Sequence, residues 1–288
     1  MLAVSPDARG AILAKSDRTF GLGNTERSQS TEARFQHNAR DARIASSLDL
    51  FAPADLDPQV RLWDREKRRF IGQPFERLDN RTSLAFAADG TLLAALDTAG
   101  NVTLIDARSG QVLCKRPSLY PANRVVDLAF SSDKKTLFLG RSSPVIFTLD
   151  VQKCDFLEDA RKLGPSGLPK MSSFSLSPDG RTLASGEENG AIILWKWDAE
   201  YPEPIGQPLT GHAAAVSSMV FRPDGRMLAS SSADGTVRLW DVRLRWLIGT
   251  LRTDDEDGDT RIVFSQDGKQ LFSVGRHGTT TWDLDVAS

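Results

Sequence analysis

The 288-residue sequence holds only two cysteines, Cys114 and Cys154, and only three histidines. Two thiols are too few to staple a small scaffold or to furnish a structural zinc site. Each cysteine therefore reads as a small apolar residue, buried or half-buried, in the reduced form. His37, His212 and His277 lie far apart, with no H-E-x-x-H or H-x-H spacing, so no metal site is expected. Phosphate-binding loops are missing as well. No G-x-x-x-x-G-K-[ST] run occurs, and Gly21-Leu22-Gly23 has Glu26 where a dinucleotide fingerprint needs its third glycine. No apolar run approaches the roughly 18 residues that span a bilayer. The first ten residues show no basic lead before an apolar stretch, so no secretory signal is expected. A charge excess of one sign is also absent: the formal net charge is −2, which supplies no global field for nucleic acid or an anionic membrane. These absences lead to the expectation of a cytoplasmic, reduced chain without a cofactor. With 40% apolar residues it is still too apolar to be disordered.

What the sequence does contain is a period. An apolar residue, two small or polar residues, then Asp and often Gly recur as Phe86-Ala87-Ala88-Asp89-Gly90, Phe130-Ser131-Ser132-Asp133, Leu176-Ser177-Pro178-Asp179-Gly180, Phe221-Arg222-Pro223-Asp224-Gly225 and Phe264-Ser265-Gln266-Asp267-Gly268. Successive Asp residues stand 44, 46, 45 and 43 positions apart, the length of one four-stranded propeller blade. Val4-Ser5-Pro6-Asp7 repeats the phrase near the start. Inside a period, Leu228-Ala229-Ser230-Ser231, the turn Ala233-Asp234-Gly235, the run Thr236 to Asp241 and the stretch Trp246 to Gly249 read as short strands separated by turns, with no helical period.

Val60-Arg61-Leu62-Trp63-Asp64 and Val237-Arg238-Leu239-Trp240-Asp241 end in the same dipeptide. Leu194-Trp195 and Trp282-Asp283 echo it, Thr210-Gly211-His212 adds a Gly-His pair, and Ile71-Gly72-Gln73-Pro74 returns as Ile205-Gly206-Gln207-Pro208. On these motifs the chain resembles the WD-repeat (WD40) β-propeller family over residues 59–288. The phrases are similar in style to repeats of bacterial multidomain signalling proteins. The fold class expected is all-β, a single propeller domain over 1–288 built from four-stranded antiparallel blades. Residues 81–288 carry regular repeats, and 1–80 hold either two degenerate blades or one blade with an insertion. Seven blades are favoured, with segments beginning near Val4, Phe35, Phe86, Phe130, Leu176, Phe221 and Phe264; six with an insertion from about Gly21 to Pro58 is the alternative. Arg43 to Ser47 is placed as a second strand and Leu48 to Pro58 as a long loop. The last blade is expected to lack its outer strand, leaving an edge for a partner or a further chain segment to complete.

The resemblance assigns His212, Ser230, Asp234 and Trp240 to the family's structural hydrogen-bond tetrad, although a His, a hydroxyl and a carboxylate also invite a hydrolase reading. Other blades hold fragments: Ser185, Asn189 and Trp195 in one, His277 in the last. The acidic run Asp254 to Asp259 fails as a calcium loop, because with Gly258 in its place the first and last ligand positions fall on Thr253 and Phe264. It reads as a solvated loop. The basic cluster from Arg65 to Arg69 reads as an exposed turn. The family's usual binding face is built from loops entering each blade's first strand. Arg81, Arg124, Lys170 and Arg261 fall there, which would suit an acidic or phosphorylated peptide. The expected function is a non-catalytic protein–protein interaction scaffold or sensor, binding protein or peptide rather than nucleic acid or membrane. The alternative is a propeller enzyme with a metal or cofactor in its channel, for which Asp127 is the main acidic candidate on an inner strand.

Overall fold

A computed structural model describes residues 2–4, 10–14, 20–24, 27–31, 41–44, 50–54, 62–64, 69–72, 83–87, 89–97, 100–118, 125–157, 160–164, 168–198, 201–253, 260–265, 267–275 and 278–284. Their regular structure is all strand, with no helix among the described residues. The chain divides into two units, Met1–Leu137 with Leu149–Asp155, and Phe138–Thr148 with Phe156–Ser288.

Among the described residues the strands form seven antiparallel sheets. The first comprises β1 to β4 (Leu2–Val4, Gly10–Ala14, Phe20–Asn24, Arg27–Thr31) and the second β5 to β8 (Asp41–Ile44, Leu50–Ala54, Leu62–Asp64, Arg69–Ile71). The third is β9 to β12 (Ser83–Phe86, Leu92–Leu96, Val102–Asp106, Val112–Arg116). The fourth is β13 to β16 (Val125–Phe130, Thr136–Arg141, Val145–Asp150, Asp155–Phe156), with β17 (Arg161–Lys162) pairing β15. Then come β18 to β21 (Met171–Leu176, Thr182–Glu187, Ile192–Lys196, Glu203–Pro204) and β22 to β25 (Val216–Phe221, Met227–Ser232, Thr236–Asp241, Trp246–Arg252). The last is β26 to β28 (Arg261–Phe264, Gln270–Gly275, Gly278–Asp283), with three strands among the described residues. In every sheet the strands follow one another in chain order, as successive hairpins dictate. First strands of consecutive sheets adjoin within each unit: β1 with β5, β5 with β9, and β9 with β13 in one, β18 with β22 and β22 with β26 in the other. This is the blade pattern of a β-propeller.

The cores lie between consecutive sheets. Met227, Ala229, Val237 and Leu239 pack against Ile262, Phe264 and Leu271 of the next sheet, and Ala184, Ile192 and Leu194 against Val216, Met219 and Leu228. Second strands are buried on both faces, as in Met227–Ser232, where every residue is buried. That burial explains why these strands read as unbroken runs of small and apolar residues rather than alternating ones. Polar atoms inside these layers find partners across sheets. Ser172 and Ser173 donate through Oγ to the Val216 carbonyl at 2.8 and 2.9 Å, and Ser231 Oγ donates to the Thr260 carbonyl at 2.6 Å.

The recurring Asp phrase is a turn device. Ser177 Oγ donates to Asp179 Oδ1 at 2.6 Å, the Arg181 N–H donates to the same oxygen, and the Thr182 N–H returns to Ser177 Oγ at 2.9 Å. Ser131 with Asp133 and Ser265 with Asp267 repeat this arrangement. The hydroxyl and N–H donors hold these aspartates below their ordinary pKa. Where the serine is replaced by Arg222, its guanidinium grips Asp224 through both oxygens instead, at 2.9 and 2.5 Å.

Two readings of the sequence need correcting. Cys114 and Cys154 are joined in a disulfide rather than standing as separate thiols. Their separation of 40 residues falls just short of one period, so β12 and the turn before β16 occupy corresponding places in consecutive sheets. Arg116 and Asp155 form an ion pair at 2.7 Å beside the bridge. In the second sheet, β5 starts at Asp41 as a first strand, and β6 (Leu50–Ala54) lies inside the stretch expected to be a loop. The segment between them does carry a Ser-x-Asp phrase, Ser47-Leu48-Asp49, but without the glycine that follows most of the others, and reading Arg43 to Ser47 as a second strand passed over it.

Candidate functional site

His212 lies in the loop leading to β22, Ser230 on β23, Asp234 in the β23–β24 turn and Trp240 on β24. Pairing of Leu228 with Trp240 and Ala229 with Leu239 brings the two strands into register. The Trp240 indole N–H donates to Ser230 Oγ at 2.9 Å, Ser230 Oγ lies 2.8 Å from His212 Nε2, and His212 Nδ1 lies 3.0 Å from Asp234 Oδ2. The Ala213 N–H adds a bond to the same carboxylate oxygen, while Thr236 donates to Oδ1 through both N–H and hydroxyl. Burial favours the neutral imidazole and lowers the His212 pKa, against the opposing pull of Asp234. Burial also works to raise Asp234, but the donors from Thr236, Ala213 and His212 outweigh it and hold the carboxyl at about 2.

Neutral His212 beside an ionised acceptor fixes the proton assignment. Nδ1–H donates to Asp234, the Ser230 O–H donates to Nε2, and Trp240 fills the remaining acceptor site of Ser230. The Ser–His–Asp order matches that of a hydrolase triad, yet Ser230 is 0% exposed. Its oxygen is enclosed by Trp240 and His212, with no room for a carbonyl to approach. The group is a closed strut between the incoming loop, β23, β24 and their turn.

The preceding sheet builds the same strut with different chemistry. Trp195 Nε1 donates to Ser185 Oγ at 2.9 Å, and Ser185 Oγ donates to Glu187 Oε1 at 2.8 Å. Glu187 stands on β19, two residues after the serine, and occupies the histidine's chemical place. It is 1% exposed, and its Oε2 has no hydrogen-bond partner among the described residues. Burial raises its pKa, with the Ser185 hydrogen bond opposing. Sequence reasoning passed over Glu187; the signal was the first of two adjacent acids, Glu187-Glu188, falling at the end of a run of small and apolar residues, Thr182-Leu183-Ala184-Ser185-Gly186.

Residues 166–196 and 203–241 match the family described as WD40: WD domain, G-beta repeat. Two stretches of the chain match the WD40 repeat. The second WD40 match contains His212, Ser230, Asp234 and Trp240, and the first contains Ser185, Glu187 and Trp195. The chain is 30% identical over 166 residues to Protein ANTHESIS POMOTING FACTOR 1 of Arabidopsis thaliana, covering 55% of this chain and 47% of that protein. To the guanine nucleotide-binding protein subunit beta of Zea mays it is 26% identical over 157 residues, covering 52% and 41%. To WD repeat-containing protein SL1-17 of Schistosoma mansoni it is 30% identical over 157 residues, covering 53% and 48%. The chain thus spans about half the length of the curated relatives it matches. These relatives come from plants and an animal, so they bear on the WD40 repeat itself and not on a bacterial type of it.

Of the four basic residues expected to flank first strands, Lys170 is exposed immediately before β18 and Arg261 opens β26, half-buried. Neither side chain is in an ion pair among the described residues. Arg81 and Arg124 lie outside the described residues, as do His37, His277 and the acidic run at 254–259. Asp127 is half-buried on β13, where its carboxylate accepts the Leu128 N–H at 2.9 Å. No group of three or more metal-ligating side chains occurs among the described residues.

Proposed function

We propose that the chain is a non-catalytic interaction scaffold or sensor module, binding a protein or peptide partner through loops that enter the first strands of its WD40 blades. The observation that carries this reading is the closure of the Ser230 strut. The chain's most catalytic-looking constellation is consumed in holding a blade together, which leaves loops and edges as its working surfaces. On this reading His212, Ser230, Asp234 and Trp240 are structural, and Lys170 and Arg261, with Arg81 and Arg124, attract an acidic or phosphorylated peptide. Seven blades is the count that the seven sheets among the described residues support. A signalling role of the bacterial multidomain kind belongs to the same proposal and rests on the likeness of the repeat phrases. A cytoplasmic setting belongs to the same proposal, and there the Cys114–Cys154 disulfide would have to persist against a reducing thiol pool. The test is binding to an equimolar panel of acidic, phosphorylated and basic peptides. Preference for the acidic or phosphorylated members, weakened by Lys170→Glu with Arg261→Glu, supports the reading. Equal binding across the panel contradicts it.

A further inference from the structure

Outer strands are the open edges of these sheets, and several are blunted. β16 and β21 have two residues each, β21 contains Pro204, and β8 has three residues. β12 is held by the Cys114 bridge and the Arg116–Asp155 pair. Short length, proline and cover are the usual protections of an edge, whose outward N–H and C=O groups otherwise template another strand. β25 has none of these three, its one irregularity being a bulge at Ile248, which is skipped where Leu239 pairs with Gly249 and Trp240 with Leu247. At seven residues it is the longest strand among the described residues, and it contains no proline. β24 lies on one side of it, and no strand on the other among the described residues.

Its side chains are equally unprotected. Trp246 is 60% exposed, Leu247 42% and Ile248 44%, and Leu244 in the preceding turn is 47% exposed. Exposed arginines frame this apolar stretch, Arg243 and Arg245 at one end and Arg252 at the other. None of the three is in an ion pair among the described residues. Arg245 is seated against Gly206 of the loop before β22, where a Cβ would come within 2.6 Å of its Nε.

We propose that β25 is a strand-addition site for a partner protein, taking an extended segment with alternating aliphatic residues and carboxylates at its ends. The outward backbone groups of β25 set the register, Trp246, Leu247 and Ile248 give cross-strand neighbours on both faces, and the three arginines select acid over base. This surface is separate from Lys170 and Arg261, so either proposal can fail alone.

The probe is a fluorescein-labelled peptide, Glu-Asp-Val-Ile-Val-Thr-Val-Glu-Asp, titrated into the full chain by anisotropy. Its counterpart has lysine at each acidic position. The acidic peptide is expected to bind at least tenfold tighter, to weaken with salt and to slow amide exchange across Trp246–Arg252. Ile248→Lys, and separately Arg243→Glu with Arg252→Glu, are expected to weaken binding at least tenfold with melting unchanged. In the Lys170→Glu with Arg261→Glu background, which removes the loop-face site of the proposed function, the slowed exchange across Trp246–Arg252 and its loss in Ile248→Lys are expected to persist. Equal binding of the two peptides, unaltered exchange in β25, or wild-type affinity in Ile248→Lys overturns the proposal. So does a dimer that Ile248→Lys dissociates in the absence of peptide binding, which assigns the edge to a second copy. Binding that appears only after Asp254→Asn, Asp255→Asn, Glu256→Gln, Asp257→Asn and Asp259→Asn also overturns it, because the edge then serves the chain's own acidic run.

Discussion

Ser230→Ala deletes a single oxygen, and the arrangement around that oxygen makes the deletion expensive. Ser230 Oγ accepts from Trp240 Nε1 and donates to His212 Nε2. Its loss leaves two fully buried polar atoms without a partner. Each such orphan costs about 1–3 kcal/mol, so Ser230→Ala should destabilise the protein by about 2–6 kcal/mol. A surface serine replaced in the same way should cost within about 0.5 kcal/mol. Trp240→Phe removes one of the two orphans in advance, along with some packing. In that background Ser230→Ala should therefore cost about 1–3 kcal/mol less than in the wild type. The assay is urea unfolding followed by far-ultraviolet circular dichroism, since one variant loses a tryptophan. A cost below about 0.5 kcal/mol, or an equal cost in both backgrounds, would refute the strut.

Acid should weaken the same strut in two windows. A His212 pKa below its ordinary 6.5 means that the unfolded chain takes up the proton first, so stability is complete above about 6.5 and declines as pH falls below it. Asp234, at about 2 against 3.8, adds on the order of 2 kcal/mol that is lost as pH falls from 3.8 through 2; a urea midpoint series in pH checks both. Glu187 has the opposite sign: its raised pKa means stability declines as pH rises above 4.5, so Glu187→Gln should be more stable than wild type at pH 7 and level out that decline. Reduction of Cys114–Cys154, or Cys114→Ser with Cys154→Ser, should cost about 4 kcal/mol for a closed loop of this length, read as a lowered melting temperature and paired with thiol labelling in freshly lysed cells. Gly190→Ala should cost about 3 kcal/mol in urea unfolding, because the residue has φ +87° and a Cβ would stand 2.5 Å from the His212 carbonyl oxygen.

The parts legible in the sequence were those whose chemistry is local. The Ser177-Pro178-Asp179-Gly180 turn closes on itself through bonds spanning two to five residues, so the phrase that makes it is contiguous and recurs with each sheet. The four strut residues were named by the family resemblance, and the register of Leu228 opposite Trp240 is what turns their spacing into adjacency. Pairings across sheets were not legible. Cys114 meets Cys154, and Ser172 meets the Val216 carbonyl, through packing that no local pattern encodes. The period did hold a usable hint, since residues 40–45 apart fall on corresponding strands of neighbouring sheets. Glu187 escaped because the eye sought a histidine where a buried carboxyl does the same bonding. β6 escaped because Leu50 to Ala54, with Pro53 inside it, reads as loop composition.

The most direct test pairs stability with binding in one variant, His212→Ala. Melting and peptide titration would be measured on the same preparation, the titration at a temperature where wild type and variant are both folded. The account predicts a melting temperature lowered by several degrees, at about 2–4 °C per kcal/mol, with unchanged affinity for the acidic or phosphorylated peptide that the wild type prefers. An unchanged melt with lost binding would place His212 in the ligand's path and contradict the account, as would a wild-type chain that binds no peptide of the panel.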